Sequence, residues 1–343
     1  MKLLWLDLNS SYAHSSLALP ALHAQIADDT TIEWCIVSAT INENTGMVVS
    51  RIHKHRPDII AATNWLFNHE QLLHIISRAK ALLPHCCIVL GGPEFLGNNE
   101  AFLYKNKFVS GVFRGEGEEV FPQWLKVWNH SKETWKAITG LCYLDENGRY
   151  QDNGIARVMN FSQLVSPEKS CFFNWSKPFV QLETTRGCFN TCAFCVSGGE
   201  KPVRTIPLEA IRERLNDIHQ HGIKNVRVLD RTFNYNNKRA KELLDLFRQY
   251  PDICFHLEIH PALLSEELKQ ELSVLPKGLL HLEAGIQSLK ESVLQQSRRI
   301  GKLSDALEGL KYLCSLKNME THADLIAGLP LYHLSEIFED VRT

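Results

Sequence analysis

The residues with the clearest chemical meaning are three cysteines in the string TTRGCFNTCAFC: Cys188, Cys192 and Cys195, separated by three and then two residues. Three thiolates on one tight loop can ligate three irons of a cubane iron–sulfur cluster and leave the fourth iron open to a chelating cosubstrate. Two other chemistries use the same residue types. A structural zinc site needs a fourth ligand, which His219 or His221 would have to supply from a separate predicted helix. A redox dithiol needs C-x-x-C in a thioredoxin-like setting, and Cys192–Cys195 has that spacing. The other seven cysteines (Cys35, Cys86, Cys87, Cys142, Cys171, Cys254 and Cys314) are scattered, several of them in apolar runs. They read as small core hydrophobes for the most part, and a chain of this size with unclustered thiols fits a reducing, cytoplasmic setting.

The chain that must position this loop is long enough for two domains, at 343 residues. Its hydrophobic fraction of 44% and charged fraction of 22% are those of a globular protein with a substantial core. A formal net charge of -2 gives no electrostatic footprint for nucleic acid. No apolar run approaches the roughly 20 residues that span a bilayer. The N-terminal stretch is interrupted by Asp7 and reads as a first buried strand, not a signal peptide.

The first half alternates strands with amphipathic helices. Strands are expected at Leu3–Leu8, Ile32–Val37, Asp58–Ala62 and Cys87–Leu90, with a fifth near Val112. Helices are expected at His69–Leu83, where Leu72, Ile76, Ala79 and Leu83 recur at helical spacing, and from about Glu118 to Trp128. This rhythm predicts a parallel, doubly wound sheet over residues 1–130, with ligand-binding loops beyond the strands' carboxyl ends. Those loops are 9–16, 63–67, 91–95 and 114–117, rich in Gly, Ser and aromatics, which suits a large flat ligand. His53 and His55 read as a polar helix face. Residues 131–178 break the rhythm and are expected to connect, with a hairpin turning at Asn147–Gly148. From 179 onward β–α units resume with strands near Val180–Thr184, Val226–Leu229, Cys254–Ile259, Leu279–Ala284 and His322–Ile326. Such units build a barrel whose site lies at the strands' C-terminal ends. Five strands precede Thr343, so the barrel is expected to be truncated at its C-terminus.

With Phe194 at the aromatic position, Cys188-x3-Cys192-x-Phe194-Cys195 resembles the signature of the radical S-adenosylmethionine (SAM) superfamily. The resemblance implies a [4Fe–4S] cluster on the three cysteines, SAM chelating the open iron, and Phe194 shielding the adenine. One-electron cleavage of SAM would then yield a 5′-deoxyadenosyl radical that takes hydrogen from substrate. It also implies roles along the barrel. Glu258 in FHLEIHP would face the SAM amino group, and Gln287 in HLEAGIQS the ribose. Arg298 in QQSRRI would meet the methionine carboxylate. Asp324 in HADLIAGLP would face ribose hydroxyls, and Gly328 would let adenine approach the backbone. Ser197-Gly198-Gly199-Glu200 is similar to a G-G-E motif that the superfamily places after the second strand. Here that place holds LDRTFN, so Asp230 and Thr232 are expected at that edge of the site and residues 197–200 are expected to turn.

A doubly wound domain before such a barrel resembles the cobalamin-binding subgroup of the superfamily, in a poorly characterised branch. The matching pieces are LNSSYAHSS with Ser11 and Tyr12, VLGGPEF with Gly91 and Gly92, and FRGEGE with Gly115 and Glu116. The fold implied is α/β: an N-terminal cobalamin-binding-like doubly wound domain followed by a partial (β/α) radical SAM barrel. The Asp-x-His-x-x-Gly motif that places histidine under cobalt is absent, so histidine-off binding is expected, and the loop residue His14 is read as solvated or hydrogen-bonded. The expected function is cobalamin-dependent radical SAM methyl transfer or rearrangement on an unknown small molecule or peptide, with an electron donor such as flavodoxin or ferredoxin. The alternatives are a radical SAM enzyme whose first domain holds no cobalamin, or a non-catalytic iron–sulfur or zinc protein.

Overall fold

In the computed structural model every residue is described except Ser15, Gly198, Gly199 and Thr343. The chain divides into two compact units, Met1–Lys177 and Pro178–Thr343.

In the first unit the elements run β1 (Lys2–Asn9), α1 (Ala18–Ala24), β2 (Glu33–Thr40), α2 (Thr45–His55), β3 (Ile59–Thr63), α3 (His69–Leu82), β4 (Cys87–Gly91), α4 (Glu100–Lys105), β5 (Gly111–Phe113), α5 (Val120–Leu125), β6 (Leu141–Leu144) and β7 (Tyr150–Asp152). Their sheet has the order β2-β1-β3-β4-β5-β6-β7. The first five strands pair in parallel, and β6 and β7 add antiparallel at the edge. The sheet is apolar on both faces because its strands are apolar at consecutive positions. Leu4, Leu6 and Leu8 of β1 pack with Val48, Ile52, Leu72 and Ile76 of α2 and α3. Leu3 and Trp5 point the other way, towards Leu19, Phe121 and Trp124 of α1 and α5. The α2 helix starts because the Asn44 side chain accepts from Met47 N at 3.2 Å, and His53 and His55 lie in its last turn.

The stretch expected as a connector contributes this unit's last two strands. Trp135, Ile138, Leu141 and Tyr143 join the apolar cluster on the Trp124 side. Three- and four-residue strands are too short to show a period, which is why this addition is faint in the sequence. The hairpin turns where Asn147–Gly148 predicts it: Gly148 has φ +74, and Asp145 Oδ1 accepts from the backbone of both Asn147 and Arg149.

The second unit runs β8 (Val180–Leu182), β9 (Thr185–Arg186), β10 (Arg204–Thr205), α6 (Leu208–Gln220), β11 (Asn225–Val228), α7 (Asn237–Phe247), β12 (Cys254–Ile259), α8 (Glu266–Ser273), β13 (Leu280–Gln287), α9 (Glu291–Gln296), α10 (Leu303–Ser315), β14 (Glu320–Leu325) and α11 (Leu334–Arg342). Five strands form a sheet in the order β14-β13-β12-β11-β8 with every pairing parallel, and β9 and β10 pair antiparallel apart from it. Here burial alternates. Phe255, Leu257 and Ile259 of β12 and Leu280, Leu282, Ala284 and Ile286 of β13 are buried, and Phe247 of α7 stacks on Phe255 with ring centroids 4.0 Å apart. Between them stand half-buried His256, Glu258, His281 and Glu283. One face is therefore a helix-covered core and the other a polar surface. No helix among the described residues is long and apolar enough to cross a membrane.

Candidate active site

The cysteine loop follows β9 and is tied down from several sides. Gly187 has φ +94, and an added Cβ would lie 2.5 Å from the Glu200 carbonyl, so only glycine fits where the loop's two arms cross. Cys188 N–H donates to that same carbonyl at 3.0 Å, and Cys195 N–H donates to Cys192 O at 3.2 Å. Ala193 N–H donates to Ser297 O at 2.9 Å, reaching the segment after α9. Beneath the loop, buried Asp230 accepts from the backbone of Thr184 and Thr185 at 2.8 and 2.9 Å and from the Thr184 hydroxyl. Cys188 and Cys192 are buried and Cys195 is half-buried. Burial pushes the Cys188 thiol up; Cys195 and Cys192 add to this, against hydrogen bonds from the Asn190 backbone and the Thr232 side chain.

This donor set fits a cluster better than a single ion. Sulfurs around one tetrahedral zinc, at bonds of about 2.3 Å, would sit within roughly 4 Å of one another. Among the described residues, the one set of three ligating side chains with all donor atoms within 4.8 Å is His256, Glu283 and His322, not the cysteines. His219 and His221 cannot complete a zinc site either. They end α6, which leads into the N-terminal end of β11, while the cysteines follow the C-terminal end of the neighbouring strand β8. His221 Nδ1 bonds Asp217 O, and His219 packs on Tyr250.

The other barrel residues singled out in the sequence lie at the C-terminal ends of the strands or just beyond. Gln287 closes β13 after a register shift at Gly285–Gln287 and has φ +72. Its Oε1 is buried without a hydrogen-bond partner. A non-glycine residue held in this conformation next to an orphaned polar atom marks a place where strain is retained for another purpose. Glu258 is pushed up to about 7 by burial and by the Glu283 carboxylate. Asp324 is pushed up to about 6 by burial and by its hydrogen bond to Glu283. Arg298 has φ +54 and an exposed side chain. Gly328 has φ +86 with open space where a Cβ would stand, and Phe194 is 38% exposed beside the cysteines. Asp230 differs: its carboxylate is spent on Thr184 and Thr185. Gly198 and Gly199, in the expected turn, lie outside the described residues; Glu200 N–H donates to Ser197 O at 3.3 Å.

Three contributors were not singled out in the sequence. Asn234 exchanges two hydrogen bonds with the backbone of His260, joining the ends of β11 and β12. Arg299 donates to Gly285 O at 2.6 Å and braces the bulged end of β13. Ser297 offers only its backbone to the loop. None carries a motif, because each acts through main-chain atoms brought together by the fold.

In the first unit the strand-end loops present Tyr12, Trp65, Leu66 and Phe67 to solvent, with Leu66 83% exposed, and the Trp65 and Phe67 rings stack. Gly92 has φ +110, and an added Cβ would lie 2.5 Å from Asn64 O. Gly91 accepts from Asn64 N–H at 2.7 Å, closing the two loops together. Ser11 Oγ pairs with His14 Nδ1 at 2.8 Å, so this histidine is hydrogen-bonded. Gly115 and Glu116 serve the chain itself: a Cβ on Gly115 would meet Ala156 O at 2.2 Å, and Glu116 Oε2 accepts from Val158 N–H at 2.7 Å. An apolar, aromatic rim over tight glycine turns suits the broad face of a corrinoid.

Residues 182–342 match the radical SAM superfamily, and residues 8–125 match the B12-binding domain. The chain thus carries a radical SAM domain preceded by a B12-binding domain. An uncharacterised methyltransferase of Pyrococcus horikoshii is 26% identical over 292 residues, covering 81% of this radical SAM chain and 62% of that protein. A cobalamin-dependent radical SAM methyltransferase of Streptomyces tokunonensis is 19% identical over 291 residues, covering 80% of this chain and 43% of that one. The chain thus spans about half the length of these relatives. The fold is that of the radical SAM methyltransferase TsrM of Kitasatospora setae, with a TM-score of 0.76 at 15% identity over 99% of this chain and 70% of that one.

Proposed function

We propose that this radical SAM chain binds a [4Fe–4S] cluster, SAM and cobalamin, and methylates or rearranges an unactivated centre in a small-molecule or peptide substrate. The observation that carries the reading is the cysteine loop: three thiols held by backbone bonds at the C-terminal edge of a parallel sheet, spaced more widely than around a single ion. Bound together, these groups supply one-electron cleavage of SAM and methyl transfer through cobalt. The chain's own residues bind and orient. Cys188, Cys192 and Cys195 hold three irons, and Phe194 covers the loop. Gln287, Glu258, Arg298, Asp324 and Gly328 line the adjoining strand ends for SAM, and Asp230 positions the loop from below. In the first unit Ser11, Tyr12, Gly91 and Gly92 offer the corrinoid surface, with Gly115 and Glu116 shaping it from behind. A low-potential donor of the flavodoxin or ferredoxin class and a reducing cytoplasm suit a protein whose cysteines are all free thiols.

The test is anaerobic reconstitution with iron and sulfide, then electron paramagnetic resonance of the reduced protein with and without SAM. A [4Fe–4S]+ signal that changes with SAM and disappears in Cys192→Ala is expected. A cluster indifferent to SAM overturns the reading. Retention of hydroxocobalamin through gel filtration is expected on the same sample, and its loss in buffer would remove cobalamin from the assignment.

A further inference from the structure

The polar face of the second sheet carries a cluster that the cysteine chemistry leaves unused. We infer that His256, Glu283 and His322 form a mononuclear site for a divalent first-row transition metal, separate from the cluster cysteines and adjoining Glu258 and Asp324 on the same face.

The three residues stand on adjacent parallel strands β12, β13 and β14. Glu283 lies directly opposite His322 and two pairs along from His256, which faces His281. This register converges three donors from separate strands. His256 Nε2 is 2.8 Å from Glu283 Oε2, and His322 Nε2 is 3.7 Å from the same oxygen. All donor atoms lie within 4.8 Å of one another. Bonds of about 2.0–2.2 Å from imidazole nitrogen and carboxylate oxygen to a central ion require separations of this order, roughly 3 to 3.5 Å.

A fourth side chain orients the set. His281 Nε2 is 2.9 Å from His322 Nδ1, so the outer nitrogen of His322 is engaged and its Nε2 is turned towards Glu283. Metal-bound histidines are held in this way by a partner on the ring nitrogen that does not ligate. Without an ion the arrangement is awkward. Three imidazoles pack with centroids 4.8, 4.9 and 5.7 Å apart while two of them compete for one carboxylate oxygen. Glu258 lies directly opposite Glu283, and like charges in that position are destabilising. A dication relieves both conflicts. Two imidazoles and one carboxylate with open positions suit zinc, iron(II), cobalt(II) or manganese(II), whereas two nitrogen donors of three disfavour magnesium and calcium.

The experiment uses the untagged chain carrying Cys188→Ala, Cys192→Ala and Cys195→Ala, titrated with cobalt(II). One equivalent per chain is expected to survive gel filtration, with visible d–d bands and no sulfur-to-cobalt charge transfer. Affinity should fall at least 10-fold in Glu283→Gln and His322→Ala, and by about 10- to 100-fold in His281→Phe. Should the triple variant not fold, the reconstituted wild type is assayed for one zinc per chain beyond its cluster iron, lost in His322→Ala. No retained metal, thiolate charge-transfer bands, or equal binding by the histidine and glutamate variants would overturn the site and leave a hydrogen-bonded network only.

Discussion

Ala193, flanked by Cys192 and Phe194, donates its backbone N–H to the carbonyl of Ser297, more than one hundred positions downstream and 2.9 Å away. The bond joins the cysteine loop to the segment that carries Arg298 and Arg299, so a change in one reaches the other. Ala193→Pro removes the donor and should loosen the loop without touching a thiol. The reconstituted cluster is expected to form but to bleach several-fold faster in chelator, followed by its visible absorbance; an unchanged rate would show that the bond does not hold the loop.

Asp230 is the deepest anchor of that loop. Asp230→Ala strands two backbone N–H groups and the Thr184 hydroxyl in a buried setting, and each orphaned donor costs about 1–3 kcal/mol. The unfolding free energy from a urea titration should drop accordingly, by about 3 kcal/mol or more in the cluster-free protein. A loss confined to SAM response, with stability intact, would return Asp230 to the ligand side of the site.

Two kinds of residue share the loops of the first unit and should separate cleanly. Leu66→Ser with Phe67→Ser removes exposed apolar surface, so thermal stability should stay within about 0.5 kcal/mol while hydroxocobalamin affinity falls 10-fold or more. Gly115→Ala forces a Cβ into Ala156 O and should lower the melting temperature first. Equal behaviour of the two would mean that the rim does not touch the corrinoid.

Gln287 is held at φ +72. Gln287→Gly relieves the left-handed conformation, a strain of about 1–3 kcal/mol, and removes the side chain offered to SAM. The melting temperature should hold or rise while the SAM-dependent change in the cluster's resonance signal weakens.

His260 is buried, and its imidazole is pushed down to about 4 by burial first and the Arg299 guanidinium second. In the unfolded chain it titrates near 6.5, so the unfolded state takes up its proton first as pH falls. The stability contributed by neutral His260 is complete above 6.5 and is lost progressively towards 4. At roughly 1.4 kcal/mol per pH unit the loss is about 3 kcal/mol. His260→Phe should flatten the melting temperature between pH 6.5 and 4.5; an unaltered slope would assign the acid sensitivity elsewhere.

The sequence makes the parallel strands of both sheets legible, because runs such as KLLWLDL and LHLEAGIQ carry their periodicity in a few residues. The cluster cysteines are legible for a different reason: no other three are so close. What escapes is whatever depends on main-chain atoms or on register. Gly115 looks like a ligand glycine, yet the contact that demands it comes from Ala156, far along the chain. Asp230 looks like a ligand carboxylate until Thr184 and Thr185 are seen to occupy it. Arg299 and Arg298 are equivalent in the string, and only the bulge at Gly285 distinguishes them. His256, Glu283 and His322 come from three separate segments, and nothing short of strand alignment brings them together.

The alternation in the second sheet has a consequence for how such a protein can diversify. Every second side chain along β12 and β13 belongs to the packing beneath the helices, and those between belong to the polar face. Substitutions at the in-between positions leave the volume of the interior untouched, so reactivity can be rewritten one residue at a time while the scaffold keeps its melting behaviour. A slip of one position would exchange the two sets entirely, burying carboxylates and exposing leucines. The same repeat that frees the chemistry to drift thus forbids the strands from doing so.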